Sequence, residues 1–240
     1  MQLPKVHGII RRRMLVNFRV DPAVLQRQLP APFRPKLHEG HAIAGICLIR
    51  LEGIRPRRFP RLLGLSSENA AHRLAVVWED ETGPREGVYI PRRDTGSLVN
   101  HLTGGRLFPG EHQRATFHVV EDEDRISLHM RSADGRVEID LAGRSASGLP
   151  ESSTFRDLSD ASAFFETGGV GYSVTATGRK LDGVALKTDS WEIAPLAMDR
   201  VHSSYFADRR MFPAGSIHFD CALVMRNISH EWEAVGNMYL

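Results

Sequence analysis

The sequence predicts a mainly β fold, a sandwich or barrel with a few short helices packed outside it. Three observations carry that expectation. Short apolar runs with period-two alternation recur along the chain, turn residues separate them, and no strand–helix–strand rhythm links them.

In order, Met14-Leu15-Val16-Asn17-Phe18 reads as a first strand. Asp21-Pro22 then opens a short helix over Ala23–Leu29, with Asp21 as cap and Pro22 in the first turn, and Pro30, Pro32 and Pro35 close it. Further strands are expected at Ala42–Leu51, Ala70–Trp78, Gly87–Ile90, Ala115–Val120, Ile126–Met130 and Val137–Leu141. Later ones fall at Val170–Ala176, Trp191–Leu196 and Ile217–Met225. Glu81-Thr82-Gly83-Pro84, Asp134-Gly135 and Asp182-Gly183 supply turn chemistry between them. Two more helices fit the pattern. Asp94–Leu102 spaces Leu98 and Leu102 four apart, and Ser159–Glu166 carries Ala161, Phe164 and Phe165. Arg144–Arg156, rich in Ser and Gly, reads as a surface connection.

No repeat or composition break marks a linker, so residues 1–240 are read as one domain, long enough to bury a core without staples. A net charge of +2 gives no bulk-charge case for nucleic acid or anionic membrane. No run approaches the length of a membrane span, and Met1–Arg13 lacks the apolar stretch of a secretory signal, so the expected location is the cytoplasm. Cys47 and Cys221 are too few for a disulfide framework and read as buried thiols. The chain holds 27 arginines and only four lysines, Lys5, Lys36, Lys180 and Lys187, which makes lysine-dependent chemistry easy to check.

Several motifs fall short of their chemistry. Asp94-Thr95-Gly96-Ser97 spells the aspartic protease signature, but that mechanism needs two carboxylates sharing a proton and no second copy occurs. His38-Glu39-Gly40-His41 has its histidines three apart, not the four that put both on one helix face, and no metal site is expected. Gly168-Gly169-Val170-Gly171 leads into a strand-like run and does not complete a nucleotide-binding glycine pattern. No cofactor is expected.

Glu68 is the most informative acid. Alternation places Glu68, Ala70, His72, Leu74, Val76 and Trp78 on one strand face, with Asn69, Arg73 and Glu79 on the other. Glu68 and His72 are therefore expected to face inward, and an inward carboxylate is costly unless paired or neutral.

The block Arg11–Leu29 followed by Pro30-Ala31-Pro32-Phe33 resembles the opening of acetoacetate decarboxylases. Ser67-Glu68-Asn69, Gly105-Arg106-Leu107-Phe108-Pro109 and Ser216–Met225 extend the resemblance. The blocks GICLIRL, GLSSENAAHR, GVYIPRRDT and GGRLFPG are similar, nearly letter for letter and along most of the chain, to a domain-of-unknown-function branch of that superfamily. The resemblance implies a closed, cone-like antiparallel β-barrel with outer helices and an internal ligand cavity. It assigns the decarboxylase arginine to Arg11, with Arg12 if the register is one residue off, and the acid to Glu68. The second active-site glutamate falls near Gly45 and is missing. The Schiff-base lysine follows a Phe/Tyr-Pro pair, and here Phe108-Pro109 is followed by Gly110-Glu111.

Without that amine there is no iminium electron sink. The expected function is binding of a small anionic or carbonyl-bearing molecule in the barrel, with a lyase or isomerase step that needs no Schiff base. Glu68 and His72 are the candidate catalytic residues; Arg11, Arg12 and Arg106 are the candidate ligand-binding residues. A non-catalytic binder or sensor is the alternative from another class, and a decarboxylase using Lys180 or Lys187 is a third. The expected partners are a small-molecule ligand and a second copy of the chain.

Overall fold

The computed structural model describes residues 6–56, 64–103, 110–175 and 178–239. In chain order its strands are β1 (Val6–Val20), β2 (Arg34–Pro35), β3 (Leu37–His38), β4 (His41–Pro56), β5 (Leu65–Asp80), β6 (Gly83–Thr95), β7 (His112–Glu121), β8 (Arg125–Ser132), β9 (Glu138–Ser145), β10 (Val170–Val174), β11 (Lys180–Thr188), β12 (Ala194–Ser203) and β13 (Ile217–Tyr239). Between them lie α1 (Pro22–Gln26), α2 (Leu98–Thr103), α3 (Leu158–Glu166) and α4 (Ser204–Ala207).

One sheet joins all the strands. Pairing runs β5-β4-β1-β13-β12-β9-β8-β7-β6, and β6 returns to pair with β5, so these strands form a ring. β11 and β10 bridge from β13 to β6, and no described helix is long and apolar enough to cross a membrane. The expectation of an antiparallel sheet holds for most pairs but not all: β6 runs parallel to both β7 and β10. The connection from β6 to β7 passes through α2, and such a crossover returns the chain in the same direction.

The ring gives each long strand two buried faces. Met14, Val16, Leu48, Leu74, Leu128, Ile139 and Val224 come from strands all round the ring and share one core cluster on its inner face. Leu15, Cys47, Ala75, Cys221 and Leu223 point the other way and pack under Ala161, Phe164 and Phe165 of α3. A strand buried on both sides explains why apolar runs such as Ala42–Leu51 are nearly continuous.

Local chemistry sets the helix ends. The Asp21 carboxylate accepts from the amides of Ala23 and Val24 at 2.7 and 3.3 Å, and Pro22 follows it. The expected helix from Asp94 is shorter than its pattern. Asp94 and Thr95 complete β6, because Arg92 grips the Asp94 carboxylate with two guanidinium nitrogens, and Ser97 Oγ caps the turn by accepting from Asn100. The connection around Arg144–Arg156 is not wholly superficial. Buried Asp220 accepts from Ser153 Oγ at 2.7 Å and from the Thr154 amide at 2.8 Å, which anchors Phe155 in the outer core.

β1 is three times as long as the run that predicts it, and it contains Arg11, Arg12 and Arg13. Against β4 its register shifts between Ile10 and Arg12, which leaves Arg11 as the extra residue of a bulge. That shift decides where each arginine goes.

Candidate functional site

On the inner face, Arg12 has the parity of Met14 and Val16 and is completely buried. Its Nη2 donates to Glu68 Oε2 at 2.6 Å and its Nη1 to Glu121 Oε1 at 3.0 Å. Arg50 lies 3.6 Å from the other Glu68 oxygen, and Arg226 bonds Glu121 at 3.3 Å. Burial raises the Glu68 pKa above its ordinary value, against the pull of Arg12. Positive and negative groups alternate, and each arginine here has a carboxylate.

Arg11 is on the outside. Its side chain is 49% exposed, donates to Glu52 at 2.6 Å and touches Asn227. The bulge thus directs Arg11 to solvent, and the inward position belongs to Arg12. Arg106, with Phe108-Pro109, lies outside the described residues.

His72 shares its strand face with Glu68 but not its surroundings. Four residues along a strand separate them by about 13 Å. The imidazole is fully buried against the rings of Tyr205 and Phe206, at 4.5 and 5.6 Å, with Nε2 beside Ser203 Oγ. Burial pushes its pKa down to about 3, so at ordinary pH it is a neutral imidazole without the acidic proton of an imidazolium, and a weak base. Its role as acid–base partner of Glu68 is not supported by this geometry.

The opposite face holds a different arrangement. A cavity of about 140 Å³ lies between β1, β4, β5 and β6 on one side and Phe165, Gly168, Gly169 and β11 on the other. Arg13 of β1, Arg73 of β5 and Arg93 of β6 line it. Among the described residues none of the three has a carboxylate partner. Arg13 Nε approaches Cys47 Sγ at 3.4 Å, and its guanidinium lies 5.5 Å from the Trp191 ring. Arg73 donates to Asn17 Oδ1 and stacks 4.9 Å over Phe165. Arg93 donates to Ser173 Oγ at 3.2 Å. Arg73 Nε and Arg93 Nη2 are buried without a hydrogen-bond acceptor. Asp94 also borders the cavity, but its carboxylate is held by Arg92.

Burial lowers the pKa of Arg73 and of Arg93 to about 10, which still leaves both charged at neutral pH. Burying a cation without a counter-ion costs several kcal/mol even after relaxation. Such a cluster is stable only because neighbouring strands fix it, and it is complementary to an anion.

Two glycines lie against the cavity arginines, Gly45 beside Arg73 and Gly110 beside Arg93. A Cβ on Gly45 would lie 2.6 Å from Val16 O and 3.4 Å from Arg73, so glycine there leaves room for the Arg73–Asn17 pair. Gly110 has φ +73°, and a Cβ would meet the Ser173 Cβ at 2.7 Å. The position that follows Phe108-Pro109 is therefore closed to lysine by Ser173 and by backbone conformation. Lys180 and Lys187 sit on β11 in ion pairs with Asp182 and Glu233, and neither lines the cavity.

A broader cleft of about 800 Å³ adjoins on the far side of Arg93, lined by Arg92, Glu111, Arg136, Tyr205, Asp208 and Arg210 among others. Arg92 is neutralised by Asp94 and Asp134, and Arg210 by Asp208. Neither Glu68 nor His72 lines the cleft or the cavity. Among the described residues no three His, Cys, Asp or Glu side chains group as metal ligands.

Sequence reasoning missed Arg13, Arg73 and Arg93. The available signal was Arg73, a lone charge flanked by Ala71, Leu74 and Ala75 in a strand that is apolar on both faces.

A conserved mainly β protein with a cationic cavity is the class these features define, and the chain belongs to the DUF2071 family, described as an uncharacterized conserved protein, whose model matches residues 10–219. No curated protein sequence matches the chain significantly. Solved structures share its fold at low identity. Acetoacetate decarboxylase from Legionella pneumophila is 12% identical, with a TM-score of 0.61, over 98% of this chain and 88% of that one. The enduracididine biosynthesis enzyme MppR complexed with pyruvate is 13% identical, with a TM-score of 0.62, over 100% and 91%. An acetoacetate decarboxylase-like enzyme from Sphingomonas wittichii RW1 is 13% identical, with a TM-score of 0.59, over 98% and 92%.

Proposed function

We propose that this protein binds a small organic anion, carboxylate- or carbonyl-bearing, in the cavity formed by Arg13, Arg73 and Arg93. The carrying observation is that these three guanidiniums have no carboxylate partner among the described residues, whereas Arg12 on the other face has two. A bound carboxylate would accept from the orphaned Arg73 Nε and Arg93 Nη2 and neutralise part of the charge. Pyruvate in a protein of the same fold fits that reading. We read the ring of strand pairings as the cone-like barrel of the decarboxylases, with the anion site on its outer face under α3.

No described lysine lines the cavity, so binding here involves no Schiff base. A lyase or isomerase is the second reading, and one observation favours it. Burial raises the pKa of Glu68, which is shared with Arg12, and that direction favours a proton-exchanging role.

Thermal unfolding with pyruvate, acetoacetate and the neutral ketone acetone tests the binding reading. The two anions should raise the melting temperature, by the equivalent of about 2.7 kcal/mol at one hundred times Kd, and acetone should not. Arg73→Met should abolish the effect while leaving the free protein as stable or more so, by about 1–3 kcal/mol. If all three ketones act alike on the wild type, the cationic cavity is not an anion site.

A further inference from the structure

Side-chain contacts, rather than the register alone, place the three cavity arginines at two separate ends. In the order β1-β4-β5-β6, Arg13 is level with Ile49 and Asn69, and Arg93 is level with Ala71. Arg13 and Arg93 therefore stand three strands across and two residues along from each other, roughly 16 Å between their Cα atoms at the usual spacing. The Arg13 side chain turns to Cys47 on β4, and the Arg93 side chain turns to Ser173 on β10. Cys47 and Ala71, small residues on β4 and β5, leave the floor between these arginines open, and Arg73 reaches across β4 to Asn17 on β1, the strand that carries Arg13.

A single carboxylate offers about four lone-pair sites on two oxygens, enough to engage two guanidiniums at one end. Arg93, anchored to Ser173 beyond β6, is then left for a second anionic group. From this geometry we infer that the cavity takes a short dicarboxylate, with one carboxylate at Arg13 and Arg73 and the other at Arg93. The inference rests on the anion reading above and narrows it. The volume limits the length. A 150 Å³ cavity accommodates benzene, so about 140 Å³ here suits a diacid of roughly three or four carbons. Val88 and Ile90 provide an apolar wall for its methylene or carbonyl centre. Arg93 also borders the broader cleft, so the end it holds is the one nearest entry from that side. Its fork is aimed by Ser173, which takes its Nε.

The test is calorimetric titration of the wild type with malonate, succinate, propionate and inorganic phosphate, repeated on Arg93→Gln. Protection of Cys47 from iodoacetamide reports occupancy of the cavity itself, and buried Cys221 serves as the internal control. Succinate or malonate should bind the wild type about tenfold or more tightly than propionate and should protect Cys47. In Arg93→Gln that preference should fall to near equality, with propionate changed less than about twofold. Propionate binding as tightly as either diacid overturns the dicarboxylate inference but leaves the anion reading standing. Phosphate outcompeting both diacids also overturns it, in favour of a one-point dianion site. If none of the four binds, the anion reading itself fails. The wild-type series decides these outcomes even if the variant does not fold.

Discussion

Arg12 and Arg13 are neighbours in sequence and opposites in setting. Both are buried, both lie on β1, and alternation sends them to different faces of the same sheet. On the inner face, Arg12 meets Glu68 and Glu121, with Arg50 and Arg226 behind the acids. On the outer face, Arg13 meets a thiol and an indole and lines a cavity with two more arginines. The inner arginine has its counter-ions within the chain, although Arg12 Nε and Glu68 Oε1 lack hydrogen-bond partners; the outer arginines have no carboxylate partner among the described residues. Balanced buried charge is accounted for by the chain itself, and unbalanced charge beside a cavity is the feature on which the anion proposal rests.

The largest expected effect tests the inner half of that contrast. Glu68→Leu leaves Arg12 buried with one of its two carboxylates, and about 3–5 kcal/mol of stability should be lost. Urea titration reads this directly. A loss under about 1 kcal/mol would mean that Arg12 finds other solvation, and the inner cluster would no longer differ in kind from the outer one.

The next effect is pH dependence, where histidines buried without charge should dominate. The folded protein holds His72 neutral to about pH 3, and His230 to about 4, while unfolded histidine takes a proton near 6.5. Between those values the unfolded chain binds more protons, so stability present above pH 6.5 is lost as pH falls through that window. Each histidine contributes a slope of about 1.4 kcal/mol per pH unit. Glu68 acts in the other sense. Its folded pKa is raised, so its contribution is full below the unfolded value and declines as pH rises through the folded one. His72→Leu, which fills the same apolar site beside Tyr205, should flatten the acid slope by about one histidine's share. An unchanged slope would show that the buried imidazole is not the proton-linked group.

Much of this architecture was legible from alternation and turn chemistry, because strands buried on both faces leave long apolar runs and few ways to pair. The Asp21 cap, the α3 segment and the inward direction of Glu68 followed from local rules alone. Other features depended on contacts between distant segments. The helix expected at Asp94 gave way to strand because Arg92 claims the carboxylate, and Arg92 is itself placed by Asp134. β13 continues well past Met225 because a left-handed Asn227, at φ 57°, lets the strand turn toward β11. The cationic cavity was hidden for a related reason. Its three arginines come from three strands, each looks like ordinary surface charge by itself, and only the folded sheet brings them to one cavity.

The smallest effect completes the arginine triplet. Resemblance to the decarboxylases assigns the ligand-binding role to Arg11, and the bulge opposite β4 turns that residue outward instead. There it pairs with Glu52, itself about a third exposed and shared with Arg50. The carboxylate's pKa is lowered, most of all by the Arg11 hydrogen bond. Such pairs contribute little, since water screens them and two long side chains must be held still. Arg11→Ala should therefore change stability by no more than about 0.5–1 kcal/mol and leave anion binding unaltered. Three consecutive arginines would then have three separable roles: Arg11 a solvated pair, Arg12 a buried counter-ion, Arg13 a ligand contact. If Arg11→Ala instead weakens carboxylate binding tenfold, the bulge is not where the strand register puts it. Arg12 and Arg13 would then exchange faces, and the contrast between the two clusters would have to be redrawn around the new register.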